Sequence, residues 1–153
     1  MKKFTKVLST VSTIVLFLAV MPAMAQYTKT VLHTGGLYSA LAKDASGNIY
    51  VTKAASAGVY HVVKYTNGTG SPTQIYSGLT SNVAELPWGL AVAPNGDVYI
   101  STDFTSNAGA IIRLNAASAY AATTVQTGSY FTGLTFDGAG NLYTLEYNAS
   151  NSD

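Results

Sequence analysis

An all-β chain built from repeated four-stranded antiparallel units is what this sequence predicts, and three observations carry the reading. One hairpin pattern is written three times, as Leu41 to Thr52, Leu90 to Ser101 and Leu134 to Leu145. Its strands are continuous apolar runs rather than alternating ones, as in Ile49-Tyr50-Val51 and Val98-Tyr99-Ile100, which means both sheet faces are covered. Glycine-bearing turns punctuate the chain at matching places in every copy.

The chain opens on a leader. Lys2, Lys3 and Lys6 form a basic start, Val11 to Val20 is apolar apart from Ser12 and Thr13, and Ala23-Met24-Ala25 has the small-x-small form that signal peptidase reads. Residues 1–25 are therefore expected to be a signal peptide cleaved before Gln26, leaving 26–153 as a secreted or periplasmic chain. The strongly apolar run Ile14 to Val20 is too short to span a bilayer, so no membrane contact is expected after cleavage. From Gln26 onward five cations stand against seven anions, a net charge of −2 with His neutral, and the cations are scattered. Nucleic-acid binding needs a clustered positive face and is set aside. With no cysteine, disulfides, thiolate metal sites and cysteine nucleophiles are excluded together.

The elements follow in order. Tyr27 to His33 has the pattern of an outer strand that precedes the first hairpin. The hairpin itself pairs an inner strand a with a strand b across Asp44-Ala45-Ser46-Gly47, Ala93-Pro94-Asn95-Gly96 or Asp137-Gly138-Ala139-Gly140. Glycine at the end of this loop takes positive φ at little cost and turns the chain back in register. Asp44 and Asp137 suit the turn start, where a carboxylate accepts backbone N–H bonds. Asn48, Asp97 and Asn141 follow the glycine and are expected to tolerate the same left-handed region. All five are read as turn formers rather than catalysts. Tyr50, Tyr99 and Tyr143 recur at one repeat position and are read as packing between units.

Strand c follows as His61 to Tyr65 and again, 49 residues on, as Ala110 to Leu114. Strand d follows as Thr73 to Tyr76 and Thr123 to Gln126. The glycines Gly47, Gly96 and Gly140 are spaced by 49 and 44 residues, and periods of ~40–50 residues built of short strands indicate propeller blades. A blade cannot bury its own two faces, so copies stack around an axis. Closed propellers use about four to eight blades, whereas this chain carries two full repeats and the a and b strands of a third. The ring is expected to be incomplete, to be finished by self-association or by blades of a longer precursor.

Pro87-Trp88-Gly89-Leu90-Ala91-Val92, followed by Asn95-Gly96-Asp97-Val98-Tyr99-Ile100-Ser101, resembles an NHL-type repeat. The likeness covers most of Tyr27 to Tyr147. It implies a propeller fold, which hosts ligand-binding sensors, scaffolds, lactonases and lyases. Where that family usually carries Asp after strand b, this chain has Lys53, Thr102 and Glu146.

In such blades the d–a and b–c connections share one rim. Tyr38, Trp88, Tyr130 and Phe131 each precede a repeat leucine of strand a there, and repeated aromatics at a channel mouth can stack on sugar rings or peptide side chains. The competing role for them is to plug gaps between blades, with Trp88 the exception because its bulk is rarely fully buried. The b–c connections carry Lys53, Asp103, Asn107, Glu146 and Tyr147, and Glu85 lies in the longest d–a loop. Likeness to gluconolactonase-type propellers, which hold a divalent cation on central carboxylates, makes Glu85, Asp103 and Glu146 the candidate ligands for calcium or magnesium. His33 and His61 are the only histidines, at a strand d end and a strand c start, away from a channel. No catalytic residue is assigned and no nucleophile or phosphate motif is present. The expected function is an exported module that binds a protein, peptide or glycan on its loop rim. The alternative is part of a metal-dependent propeller hydrolase or lyase.

Overall fold

Among the described residues the repeats fold into ten strands. A computed structural model describes residues 29–32, 36–56, 58–80, 87–102, 109–128 and 130–147. The predicted leader, residues 1–25, lies outside them. Among the described residues no helix is long and apolar enough to cross a membrane.

The first sheet contains β1 (Tyr38–Lys43), β2 (Ile49–Ser56), β3 (Val59–Tyr65) and β4 (Thr73–Thr80), side by side in that order. The second repeats it with β5 (Gly89–Val92), β6 (Val98–Thr102), β7 (Gly109–Asn115) and β8 (Ala121–Gly128). The third contains β9 (Tyr130–Phe136) paired with β10 (Leu142–Tyr147). Every pairing is antiparallel. These are blade-like sheets of the predicted all-β class, and the three described do not close a ring.

The a–b turn recurs almost unchanged. Gly47, Gly96 and Gly140 have φ of +87°, +87° and +88°, a region that costs a side-chain-bearing residue ~1–2 kcal/mol. Each glycine amide donates back to the turn start, to Asp44 O at 3.1 Å, Ala93 O at 2.9 Å and Asp137 O at 3.1 Å. Asn48, Asp97 and Asn141 do not share the positive φ expected of them. Their side chains have another task, described below.

Pairing sorts the side chains into faces. Ala42, Tyr50 and Lys64 are cross-strand neighbours, and so are Thr52 and Val62, so they share the face of the first sheet that meets the second. There Tyr50, Tyr60, Val62 and Leu79 form one buried cluster with Leu90, Val98, Ile100 and Leu114. The continuous apolar runs are thus explained, because each strand serves two faces. On the far side of the second sheet, the Tyr99 ring meets Phe136 of the third edge-on, with centroids 5.2 Å apart. The inner strands β1, β5 and β9 line a shared cleft of about 270 Å³. The three a–b turns surround a second, wider cleft of about 530 Å³ at one end.

Three expectations change. The outer strand expected over Tyr27 to His33 is not formed at 29–32. Instead Leu32 packs with Tyr38 against Val51, Val63 and Tyr65 on the outward face of the first sheet. Lys53 is not in a connection, because β2 continues through it to Ser56 and pairs it with Tyr38 and His61. Glu146 and Tyr147 are likewise strand residues, opposite Phe131 and Tyr130. Backbone pairing carries these strands past the last apolar residue, where side-chain pattern gives no signal.

Candidate functional site

The starts of the a strands and the ends of the b strands lie opposite the a–b turns and form the predicted binding rim. In the second sheet, Pro87 is fully buried and Gly89 is buried, while Trp88 between them is 51% exposed. The Trp88 amide donates to Ser101 O at 3.1 Å. The backbone is therefore fixed on both sides of an indole that faces solvent.

The other rim aromatics differ from it. Tyr38 begins β1, half-buried over the Val51–Val63–Tyr65 cluster. Tyr130 begins β9 half-buried, and Phe131 beside it is 3% exposed. Glu146 is exposed opposite Phe131. Glu85, Asp103 and Asn107 lie outside the described residues. Among the described residues no group of three His, Asp or Glu side chains is placed to hold a metal ion.

Among the described residues, two buried polar atoms at this end have no hydrogen-bond partner, Ser101 Oγ and His61 Nδ1. They do not form a nucleophile–base pair. Ser101 shares the face of the second sheet that meets the third, since its strand neighbour Tyr99 packs on Phe136. His61 lies opposite Lys53 on the outward face of the first sheet. The counterpart of Ser101 in the first sheet is Thr52, whose hydroxyl meets Ser39 Oγ at 2.7 Å and accepts from the Ala40 amide at 2.9 Å. Trp88 replaces Ser39 in the second copy, which leaves Ser101 without that partner.

At the opposite end, carboxylates and amides hold the turns. Asp44 Oδ1 accepts from the Asn48 amide at 2.8 Å and its Oδ2 from Asn48 Nδ2 at 2.7 Å and the Tyr50 hydroxyl at 3.2 Å. Asp137, Asn141 and Tyr143 repeat the set at 2.8, 2.8 and 3.1 Å. Burial opposes the charge on Asp44, yet the Asn48 and Tyr50 bonds outweigh it and hold its carboxyl below the ordinary range. Asn141 does the same for Asp137. Burial pushes the Tyr50 phenol strongly up, with hydrogen bonds to Tyr120 and Asp44 acting in the same direction.

The residue after the glycine joins two turns. Asn48 Oδ1 accepts the Asn67 amide at 3.0 Å, and Asp97 Oδ1 accepts the Ala116 amide at 2.8 Å. Both acceptors fasten the a–b turn to the 3-10 turn that follows strand c, Thr66–Gly68 or Ala116–Ser118. Asp97 also receives Arg113 Nε at 2.8 Å and Nη2 at 2.7 Å, and Asn95 Nδ2 at 3.0 Å. Burial works against this carboxylate, but the Ala116, Asn95 and Arg113 bonds more than offset it and its carboxyl is held low. The sequence reading missed this pair, because Asp97 and Arg113 meet only through the β6–β7 register.

The geometry defines an all-β chain of blade-like sheets with one presented indole on a rim. No family model and no curated protein matches the chain.

Proposed function

We propose that this chain is an exported, propeller-type binding module of the NHL-repeat kind, recognising a glycan or peptide ligand through Trp88. The observation that carries the reading is an exposed indole held between two buried neighbours. A flat apolar surface with a polar N–H suits stacking on a sugar ring or an aromatic peptide side chain. The leader-like first 25 residues support export, and the three-fold repeat supports the NHL assignment.

Trp88 is the only tryptophan, so its fluorescence reports occupancy of this site without a label. Titrating defined oligosaccharides and peptides into the protein is expected to shift or quench that emission, saturably, for one ligand class. Binding of the same ligand, followed by calorimetry, is expected to be lost in Trp88→Ala while the thermal melt stays unchanged. Undiminished binding by Trp88→Ala overturns the reading.

A further inference from the structure

The two blade–blade junctions inside this chain use the same residue positions, and the two outermost sheet faces carry the unused halves of that junction. Leu90 sits in the cluster with Tyr50 and Val62 and is 5% exposed; Leu41, its counterpart in β1, is 61% exposed. Tyr50 is 1% exposed under the second sheet, and Tyr99 meets Phe136 of the third. Tyr143, at the same position in β10, is 55% exposed, and Leu145, two residues on, is 74% exposed. On the outward face of the first sheet Leu32 and Tyr38 cover Val51, Val63 and Tyr65 but leave Leu41 of β1 open, and on the third sheet Tyr143 and Leu145 are open among the described residues.

We propose that a second copy of this chain covers both faces, head to tail, with β1 of one copy seated on β10 of the other. The internal junctions give the register. Gly89 lies between Ser101 of its own sheet and the Gly133–Leu134 backbone of the next, so that a methyl there would meet these atoms at 2.6 and 2.9 Å. Leu145 holds the Ser101 position and so faces the Ala40–Leu41 segment of the partner copy. Phe136 packs on Tyr99, and the residue at the Phe136 position in β1 is Lys43. The Lys43 ammonium of one copy thus falls on the Tyr143 ring of the other, whose hydroxyl bonds the Asp137 carboxylate. An exposed cation meets an aromatic face backed by an anion, which is complementary in charge as well as in shape. Because the two faces differ, the contact is heterologous, and it closes when each copy gives both halves.

Sedimentation of the full chain over a range of concentrations tests this. The expected result is a dimer that Leu41→Lys or Leu145→Glu alone converts to monomer, with circular dichroism unchanged since both side chains are exposed. Mixing the two variants is expected to restore dimer, because one wild-type junction remains and the other pairs opposite charges. A second readout does not depend on weakening the contact: the chain has no cysteine, so Leu41→Cys mixed with Leu145→Cys should oxidise to a mixed dimer, and neither should cross-link alone. A wild-type monomer at every concentration overturns the proposal and leaves the faces to further blades or another protein. A dimer broken by only one of the two charge variants, or cross-linked by one cysteine variant alone, shows like faces meeting and overturns it too.

Discussion

Asp97 and Arg113 meet at 2.7 Å across β6 and β7, and the aspartate is almost fully buried while the arginine stays partly open to water. The first blade has Asn48 where Asp97 stands and Lys64 where Arg113 stands. There the amide oxygen fastens the neighbouring turn alone, and the Lys64 ammonium lies over the Tyr50 ring at 5.4 Å. One repeat position thus solves the same structural problem with a neutral acceptor in one blade and a charged pair in the next.

Asp97→Asn keeps an acceptor for the Ala116 amide but gives up the guanidinium. We expect a loss of about 1–2 kcal/mol, limited because Arg113 can turn to solvent. Asp97→Ala strips every bond and is expected to cost about 2–4 kcal/mol. Chemical denaturation of both variants checks the order.

The acid response follows from the same carboxylate. Its folded pKa is lowered, so the unfolded chain binds the proton more readily. The stabilisation is complete above the ordinary aspartate value, about 3.9, and is lost as pH falls through the lower folded value. Melting temperature should therefore be set by other groups above pH ~4 and fall below it. In Asp97→Asn the fall should be shallower, with Asp44 and Asp137 carrying what remains.

Tyr50 and Tyr143 donate to equivalent aspartates, at 3.2 and 3.1 Å, but only Tyr50 does so in the core. Tyr50→Phe is expected to cost about 1 kcal/mol, because half-buried Asp44 loses a donor that reaches it from the core. Tyr143→Phe should stay within ~0.5 kcal/mol in the monomer. Equal effects would mean that the third sheet is covered in solution, so this pair of melts also bears on self-association.

What the sequence made legible is what a single residue type can enforce. A φ near +87° selects glycine, and three such glycines set the register of three hairpins. Trp88 was legible as exposed because its size resists burial. Asp97–Arg113 was not, since the partners are 16 residues apart and meet only once strand register is known. The ends of β2 were hidden as well, because Lys53-Ala54-Ala55-Ser56 has no apolar pattern and is held by backbone pairing with β3. Asn48 is the turn former its position suggests, without the left-handed φ, but its bond to the Asn67 amide was hidden for a related reason: that amide belongs to a different turn.

Gly89 and Gly138 separate packing from backbone freedom. Neither has a positive φ, so alanine strains neither backbone. At Gly138 a methyl meets nothing within 4 Å, and Gly138→Ala is expected within ~0.5 kcal/mol of the parent. At Gly89 the methyl would press on the Ser101 hydroxyl and on the Gly133–Leu134 backbone at 2.6 and 2.9 Å. Backbone atoms cannot swing aside as a side chain can, so β9 must move away from β5. We expect Gly89→Ala to cost at least 1–3 kcal/mol, roughly the range for an overpacked core, and to loosen the Tyr99–Phe136 contact. Urea denaturation gives the first quantity, and hydrogen exchange at β9 amides gives the second. If Gly89→Ala were as stable as Gly138→Ala, the third sheet would not lie against the second as closely as these distances require.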